Sequence, residues 1–186
     1  MAKYIRIVGG QYRRSRIQVP DTPGLRPTPD RVRETLFNWL GYFWNQDFSD
    51  KRVLDLFAGS GALGFEAASR GAAHVQMVES DQRAVLALRK VRDRLGATNV
   101  RIHAGTAAHA LERMDAARFD LVLLDPPFGQ AWFPNILSEI KPLLEASALV
   151  YAESEQQLEP PAGYAALRQG RAAAVHYQLL QYDRQT

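Results

Sequence analysis

The sequence predicts an α/β fold: a mainly parallel sheet with helices on both faces, a C-terminal antiparallel hairpin, and a basic β-hairpin extension at the N-terminal end. Three observations predict it. From Arg52 onward, short apolar runs alternate with stretches of helical periodicity, the rhythm that right-handed crossovers turn into a parallel sheet. The first run, Val53, Leu54, Leu56 and Phe57, is near-continuously apolar, as a strand buried on both faces requires. That run opens onto Gly59-Ser60-Gly61-Ala62-Leu63-Gly64, a glycine turn leading into a helix. At 186 residues the chain has room for one hydrophobic core. The expected division is an extension over 1–50 packed on a domain over 51–186.

Residues 4–19 alternate around Gly9-Gly10 and read as a hairpin with a glycine turn. Pro20, Pro23, Gly24, Pro27 and Pro29 punctuate a loop. Thr28 reads as an N-cap, with Pro29 at the first helical position and Asp30 in the first turn. Val32, Leu36, Trp39, Leu40 and Phe43 then form one apolar helix face. Strands are expected near 52–57, 74–79, 99–104, 119–124 and 147–153, and helices near 62–70, 81–95, 106–114 and 131–145. Runs at 164–169 and 173–182 make the closing hairpin, turning across Gly170.

Composition narrows the function classes. With 46% hydrophobic and 23% charged residues the chain is an ordinary globular one. It has no cysteine, which excludes disulfides, thiolate metal sites and a cysteine nucleophile. Apolar runs are far too short for a membrane span, and the N-terminus lacks the apolar region of a secretion signal. A cytoplasmic monomer is expected. Charge is uneven: residues 1–33 hold eight basic side chains (Lys3, Arg6, Arg13, Arg14, Arg16, Arg26, Arg31 and Arg33) against Asp21 and Asp30, a surplus of six. Because the whole chain is +3, the remainder carries −3. A basic arm on an acidic body suits a polyanionic partner, nucleic acid above all.

The glycine turn matches G-x-G-x-x-G, and Glu79 ends the next apolar run, where a carboxylate can take both hydroxyls of a ribose. A nicotinamide dinucleotide and S-adenosylmethionine both fit that much. Asp55, inside the first strand, decides between them: it can hold an ammonium group and would repel a pyrophosphate in the same turn. At the fourth strand's end stands Asp125-Pro126-Pro127-Phe128. An aromatic amine is a poor nucleophile because its lone pair is delocalised. The Asp125 carboxylate and the Pro126 carbonyl can accept both its N–H bonds, the prolines fix the turn, and Phe128 can stack on a base. No metal is called for. Glu153, ending the fifth strand, faces the same edge, and His74, His103, His109 and His176 lack ligand-like spacing.

Asp55-Leu-Phe-Ala-Gly-Ser-Gly61 resembles the first motif of S-adenosylmethionine-dependent methyltransferases, and Glu79 their acidic second motif. The resemblance implies a Rossmann-like class I methyltransferase fold, with Asp55, Phe57, Ala58, Gly59, Ser60, Gly61, Glu79 and Ser80 around the cofactor. Asp125-Pro-Pro-Phe128 resembles the signature of enzymes that methylate exocyclic or amide nitrogens. Thr106 stands where many relatives carry an acid or amide for the adenine. Gly10-Gln-Tyr-Arg-Arg14, Gly24-Leu-Arg-Pro-Thr28 and Asp30-Arg-Val-Arg-Glu-Thr-Leu-Phe-Asn-Trp-Leu40, with those two motifs, look like the RsmD family of guanine-N2 methyltransferases of small-subunit ribosomal RNA. The resemblance implies that Asp125 to Phe128 hold the guanine amine and that Arg26 and Thr28 close over cofactor and base. It also implies that Lys3, Arg6, Arg13, Arg14, Arg16 and Arg31 dock on 16S rRNA in the small ribosomal subunit or its precursor. Adenine-N6 or amide methylation, nicotinamide-dependent oxidation and RNA binding without catalysis are the alternatives.

Overall fold

A computed structural model describes residues 3–22, 27–114, 118–129, 132–133 and 135–183. Two short strands, β1 (Tyr4–Arg6) and β2 (Arg16–Gln18), pair antiparallel with Ile5 opposite Ile17. Helix α1 (Asp30–Phe43) follows. Then come β3 (Arg52–Asp55), α2 (Ala62–Ser69), β4 (His74–Glu79), α3 (Gln82–Leu95), β5 (Val100–Ala104), α4 (Ala107–Glu112) and β6 (Phe119–Leu124). The chain ends with α5 (Asn135–Glu139), a 3-10 turn (Lys141–Leu143), β7 (Leu144–Ser154), β8 (Tyr164–Ala172) and β9 (Val175–Tyr182).

Seven strands form the main sheet in the order β5-β4-β3-β6-β7-β9-β8. β3 to β7 run parallel; β9 is antiparallel to β7, and β8 to β9. The alternation along each strand feeds two cores. Val53, Leu121, Leu123 and Tyr151 pack with Leu36, Phe37, Leu40 and Phe65 of α1 and α2 on one face. Leu54, Val122, Leu124 and Val150 pack with Ala110, Ile136 and Ile140 of the α4/α5 region on the other. Order reverses at β3, which has β4 on one side and β6 on the other, and ligands bind beyond the carboxyl ends of strands at such a point.

Three local expectations change. The helix expected over 131–145 is reduced to α5 and the 3-10 turn, and β7 begins at Leu144. Pro142 has no N–H to continue an α-helix, so the chain tightens and turns into the sheet. The closing hairpin turns at Ala173-Ala174, leaving Gly170 inside β8 opposite Tyr177. Gly170 is there for space: a Cβ would collide with the Tyr177 ring, which also packs on Trp39 with centroids 5.7 Å apart.

Thr28 is not the cap of α1, because Pro29 occupies that position without a side-chain cap bond. The glycine turn at Gly9-Gly10 is longer than a tight turn, running on through residues 11–14, and the segment between β1 and β2 presses on α2. Glu66 accepts the N–H groups of Val8 and Gly9, both at 2.8 Å, and Ser69 Oγ accepts from Tyr12 N and donates to the Gly9 carbonyl. Asp81 caps α3, accepting from Arg83 N and Ala84 N at 2.9 Å.

Candidate active site

The carboxyl edge of the sheet gathers four acids. Asp55 ends β3, Glu79 ends β4, Asp125 follows β6 and Glu153 lies near the end of β7. Their placement follows from register. Leu123 pairs with Asp55 and Leu124 with Ala152, so Asp125 and Glu153 stand side by side, two residues above the level of Asp55.

Asp55 is almost fully buried, and its Oδ2 accepts the Gly64 N–H at 3.0 Å. Gly64 comes close enough that a Cβ would lie 2.9 Å from that oxygen, so the helix backbone fixes the carboxylate. Burial pushes the Asp55 carboxyl up to about 7, with Glu79 adding to it. Gly61, at φ 81, starts α2 in a left-handed conformation that suits glycine. Glu79 spans the turn, taking the Gly59 N–H at 2.7 Å and the Asp81 N–H at 2.8 Å. Ala58 and Ser60 are buried, Phe57 is half-buried and Ser80 is exposed.

Asp125 heads the Pro126-Pro127-Phe128 turn, with Pro126 buried and Pro127 and Phe128 exposed. The Gly129 N–H donates to Glu155 Oε2 at 3.0 Å, holding the far side of this turn. Burial raises Asp125 well above the carboxylate range, and the Glu153 and Asp55 charges add to that. Thr28 is 3% exposed and reaches into the same edge, its Oγ1 2.9 Å from Glu153 Oε1 and 3.4 Å from Asp125 Oδ2.

Thr28 is held there by Arg33, a fully buried cation. Its Nη1 donates to the Thr28 carbonyl at 2.6 Å; its Nη2 donates to the Arg6 carbonyl at 2.6 Å and to Asp30 Oδ1 at 2.8 Å. Arg33 therefore belongs to the scaffold, although it counts in the arm's charge. Lys3, Arg6, Arg13, Arg14, Arg16 and Arg31 are exposed. Arg6 pairs with Asp30 at 2.8 Å, and the Arg16 guanidinium lies 4.1 Å from the Tyr4 ring centroid. Arg26 lies outside the described residues.

Three features had no clear sequence signal. Glu66 carries no signal of its own and Arg33 counts only among the arm's basic charges, whereas both are buried hubs. Trp132 stacks edge-on against Phe57 at 4.9 Å, with its buried Nε1 lacking a hydrogen-bond partner among the described residues. Thr106 is exposed and caps α4 by accepting His109 N at 3.3 Å.

The donor set is carboxylates, a glycine turn and the orphaned Trp132 N–H, which suits a ligand with cationic groups and a ribose; S-adenosylmethionine has both. Among the described residues no helix is long and apolar enough to cross a membrane.

Residues 5–181 match the family described as conserved hypothetical protein 95. The chain is 42% identical over 190 residues to the Escherichia coli protein named ribosomal RNA small subunit methyltransferase D, spanning 97% of this chain and 91% of that one. The Haemophilus influenzae protein of the same name is 35% identical over 184 residues, spanning 95% and 93%. The solved Escherichia coli protein yhhF superposes with a TM-score of 0.85 at 39% identity, covering 97% of this chain and 99% of that one. A Thermus thermophilus 16S rRNA N2 methyltransferase, solved with AdoMet and guanosine, shares the fold at a TM-score of 0.71 and 23% identity, covering 99% of this chain and 50% of that one.

Proposed function

The chain belongs to the family of ribosomal RNA small subunit methyltransferase D, and from that premise we propose that it methylates the exocyclic N2 of a guanine in 16S rRNA. The observation that carries the chemistry is the placement of Asp125-Pro-Pro-Phe128 beside Asp55 at one switch point of the sheet.

When bound, S-adenosylmethionine supplies a methyl group on a sulfonium centre. Asp55 holds the ammonium of the amino-acid end, and Glu79 takes the ribose hydroxyls. Phe57, Ala58, Gly59, Ser60 and Gly61 line the turn, while Ser80, Thr106, Arg26 and Thr28 complete the surroundings. Asp125 and the Pro126 carbonyl accept the two N–H groups of the guanine amine and orient its lone pair, and Pro127 keeps those acceptors from moving. Phe128 stacks on the base once it leaves its helix. Most of the acceleration then comes from alignment, for which proximity supplies about 7–11 kcal/mol. Lys3, Arg6, Arg13, Arg14, Arg16 and Arg31 hold phosphates, and the ribosomal subunit or its precursor is the form of RNA that presents the target. The enzyme works there as a monomer in the cytoplasm.

The test uses methyl-labelled S-adenosylmethionine with 16S rRNA, small subunits and genomic DNA from cells lacking this gene. Label recovered as N2-methylguanosine from RNA or subunits, and its loss in Asp125→Ala, is the expected result. Label in N6-methyladenosine, or undiminished turnover by Asp125→Ala, overturns the assignment.

A further inference from the structure

Glu153 has no part in that mechanism, yet it is only 5% exposed and stands beside Asp125 by the register of β6 and β7. Its Oε1 accepts the Tyr151 hydroxyl at 2.9 Å and lies 2.9 Å from Thr28 Oγ1. A hydroxyl has one proton to give. The shorter contact of Thr28 directs it to Glu153 and leaves an oxygen lone pair towards Asp125 Oδ2, 3.4 Å away. A proton on Asp125 completes the chain in one direction, from Asp125 to Thr28 to Glu153.

We propose that Glu153 is a positioning residue for the transfer: through the Thr28 hydroxyl it shares a single proton with Asp125 and receives the proton that the methylated amine sheds. The proposal rests on the reading of Asp125 as the acceptor for the amine. The other titratable groups facing the pair are Asp55 from β3, Tyr151 from β7 itself and Tyr177 from β9, opposite Glu153. Burial raises Asp125 and Glu153 alike, and two hydroxyl donors on Glu153 Oε1 favour the charge there and the proton on Asp125.

Charge and atoms balance through one turnover. A sulfonium cation placed beside the pair favours loss of the shared proton to solvent, which leaves Asp125 an anionic acceptor for one amine hydrogen while the Pro126 carbonyl takes the other. Transfer forms an N2–C bond as the S–C bond breaks, and the S–C electron pair stays on sulfur. The positive charge is then on N2, which bears two hydrogens. One N–H pair returns to nitrogen as that proton moves to Asp125. Asp125 passes a proton to Thr28 Oγ1 as the Thr28 hydroxyl proton moves to Glu153 Oε1. Return of that proton from Glu153 through the Thr28 hydroxyl to Asp125 restores the starting state, so one turnover sheds one proton to solvent and the pair ends with one, as it began.

The test pairs two measurements on the full-length wild-type protein, Glu153→Gln, Thr28→Val and Thr28→Ser. First, calorimetry at pH 7 in buffers of different ionisation enthalpy counts protons exchanged on cofactor binding. Wild type is expected to release a fraction of a proton with S-adenosylmethionine and less than half of that with S-adenosylhomocysteine, which lacks the sulfonium charge. Glu153→Gln is expected to release less than half of the wild-type amount. Second, single-turnover transfer to small subunits is followed against pH. The acid limb in Glu153→Gln is expected at least one unit lower, with a plateau about ten- to a hundredfold down. Thr28→Ser, which keeps the hydroxyl, is expected to hold the wild-type position of the acid limb whatever its plateau, and Thr28→Val to shift the limb as Glu153→Gln does. Wild-type proton release and limb in Glu153→Gln, or equal limb positions in Thr28→Ser and Thr28→Val, overturn the proposal. If wild type forms no N2-methylguanosine the proposed function fails, while the proton count still reads the shared proton.

Discussion

The carboxylate of Glu66 accepts the N–H of Gly9 at 2.8 Å, tying the helix after the glycine turn to the basic ribbon. The same carboxylate takes Val8 N at 2.8 Å and Arg70 Nε at 3.0 Å. Ribbon and glycine turn thus share one support, so any RNA that the ribbon bound would stand at a set distance from the switch point of the sheet. Glu66→Ala leaves two half-buried amides and the half-buried Arg70 without this acceptor, a loss of about 1–3 kcal/mol by the cost of unsatisfied donors. Urea titration is expected to show that loss. An unchanged midpoint would mean that the ribbon is held elsewhere.

Asp55 makes stability fall as pH rises. Its carboxyl sits at about 7 in the folded chain against 3.8 ordinarily, so between those values the folded state binds more protons than the unfolded. Its share of the folding free energy is present below pH 3.8 and is lost as pH climbs through 7, by at most ~1.4 kcal/mol per unit. Thermal melts without cofactor from pH 5 to 8 are expected to decline more steeply in wild type than in Asp55→Asn. Parallel slopes would show that Asp55 ionises normally.

Phe128 is 37% exposed, at the end of the Asp125 turn, so its replacement touches function more than folding. Phe128→Ala is expected to lower kcat/KM for RNA by roughly 5- to 150-fold, the equivalent of a base-stacking contribution of about 1–3 kcal/mol. Its melting temperature should stay near that of wild type. A large drop in melting temperature with normal kcat/KM would make Phe128 a packing residue.

How far these positions were legible follows from the range of the forces involved. The strand ends at Asp55, Glu79 and Asp125 could be placed because apolar runs and glycine or proline turns are local signals. Thr28 reads locally as an N-cap because it is a threonine before Pro29 and Asp30, whereas Arg33 pulls its carbonyl and leaves its hydroxyl to Glu153. Glu66 and Arg33 carry no sign of burial in any window; only tertiary packing buries them. The turn at Ala173-Ala174 was missed for a related reason. Gly170 marked a turn locally, but the Tyr177 ring across the ladder is what requires it.

Arg13 and Arg33 separate the two uses of basic residues in this chain. Arg13 is exposed on the ribbon, whereas Arg33 is fully buried and spends its donors on Thr28, Arg6 and Asp30. A phosphate contact contributes to binding through counterion release, so removing one flattens the salt dependence by about 0.7–0.9 in log–log slope. Arg13→Ala is expected to do that, weakening RNA binding evenly while urea stability holds. Arg33→Ala is expected to cost about 3 kcal/mol or more in stability, since the Thr28 and Arg6 carbonyls lose this donor and Asp30 keeps only Arg6. Binding of small-subunit RNA measured from 50 to 300 mM salt, beside urea titration of both variants, checks the pair. A flattened slope in Arg33→Ala with normal stability would place Arg33 on the RNA instead of in the scaffold.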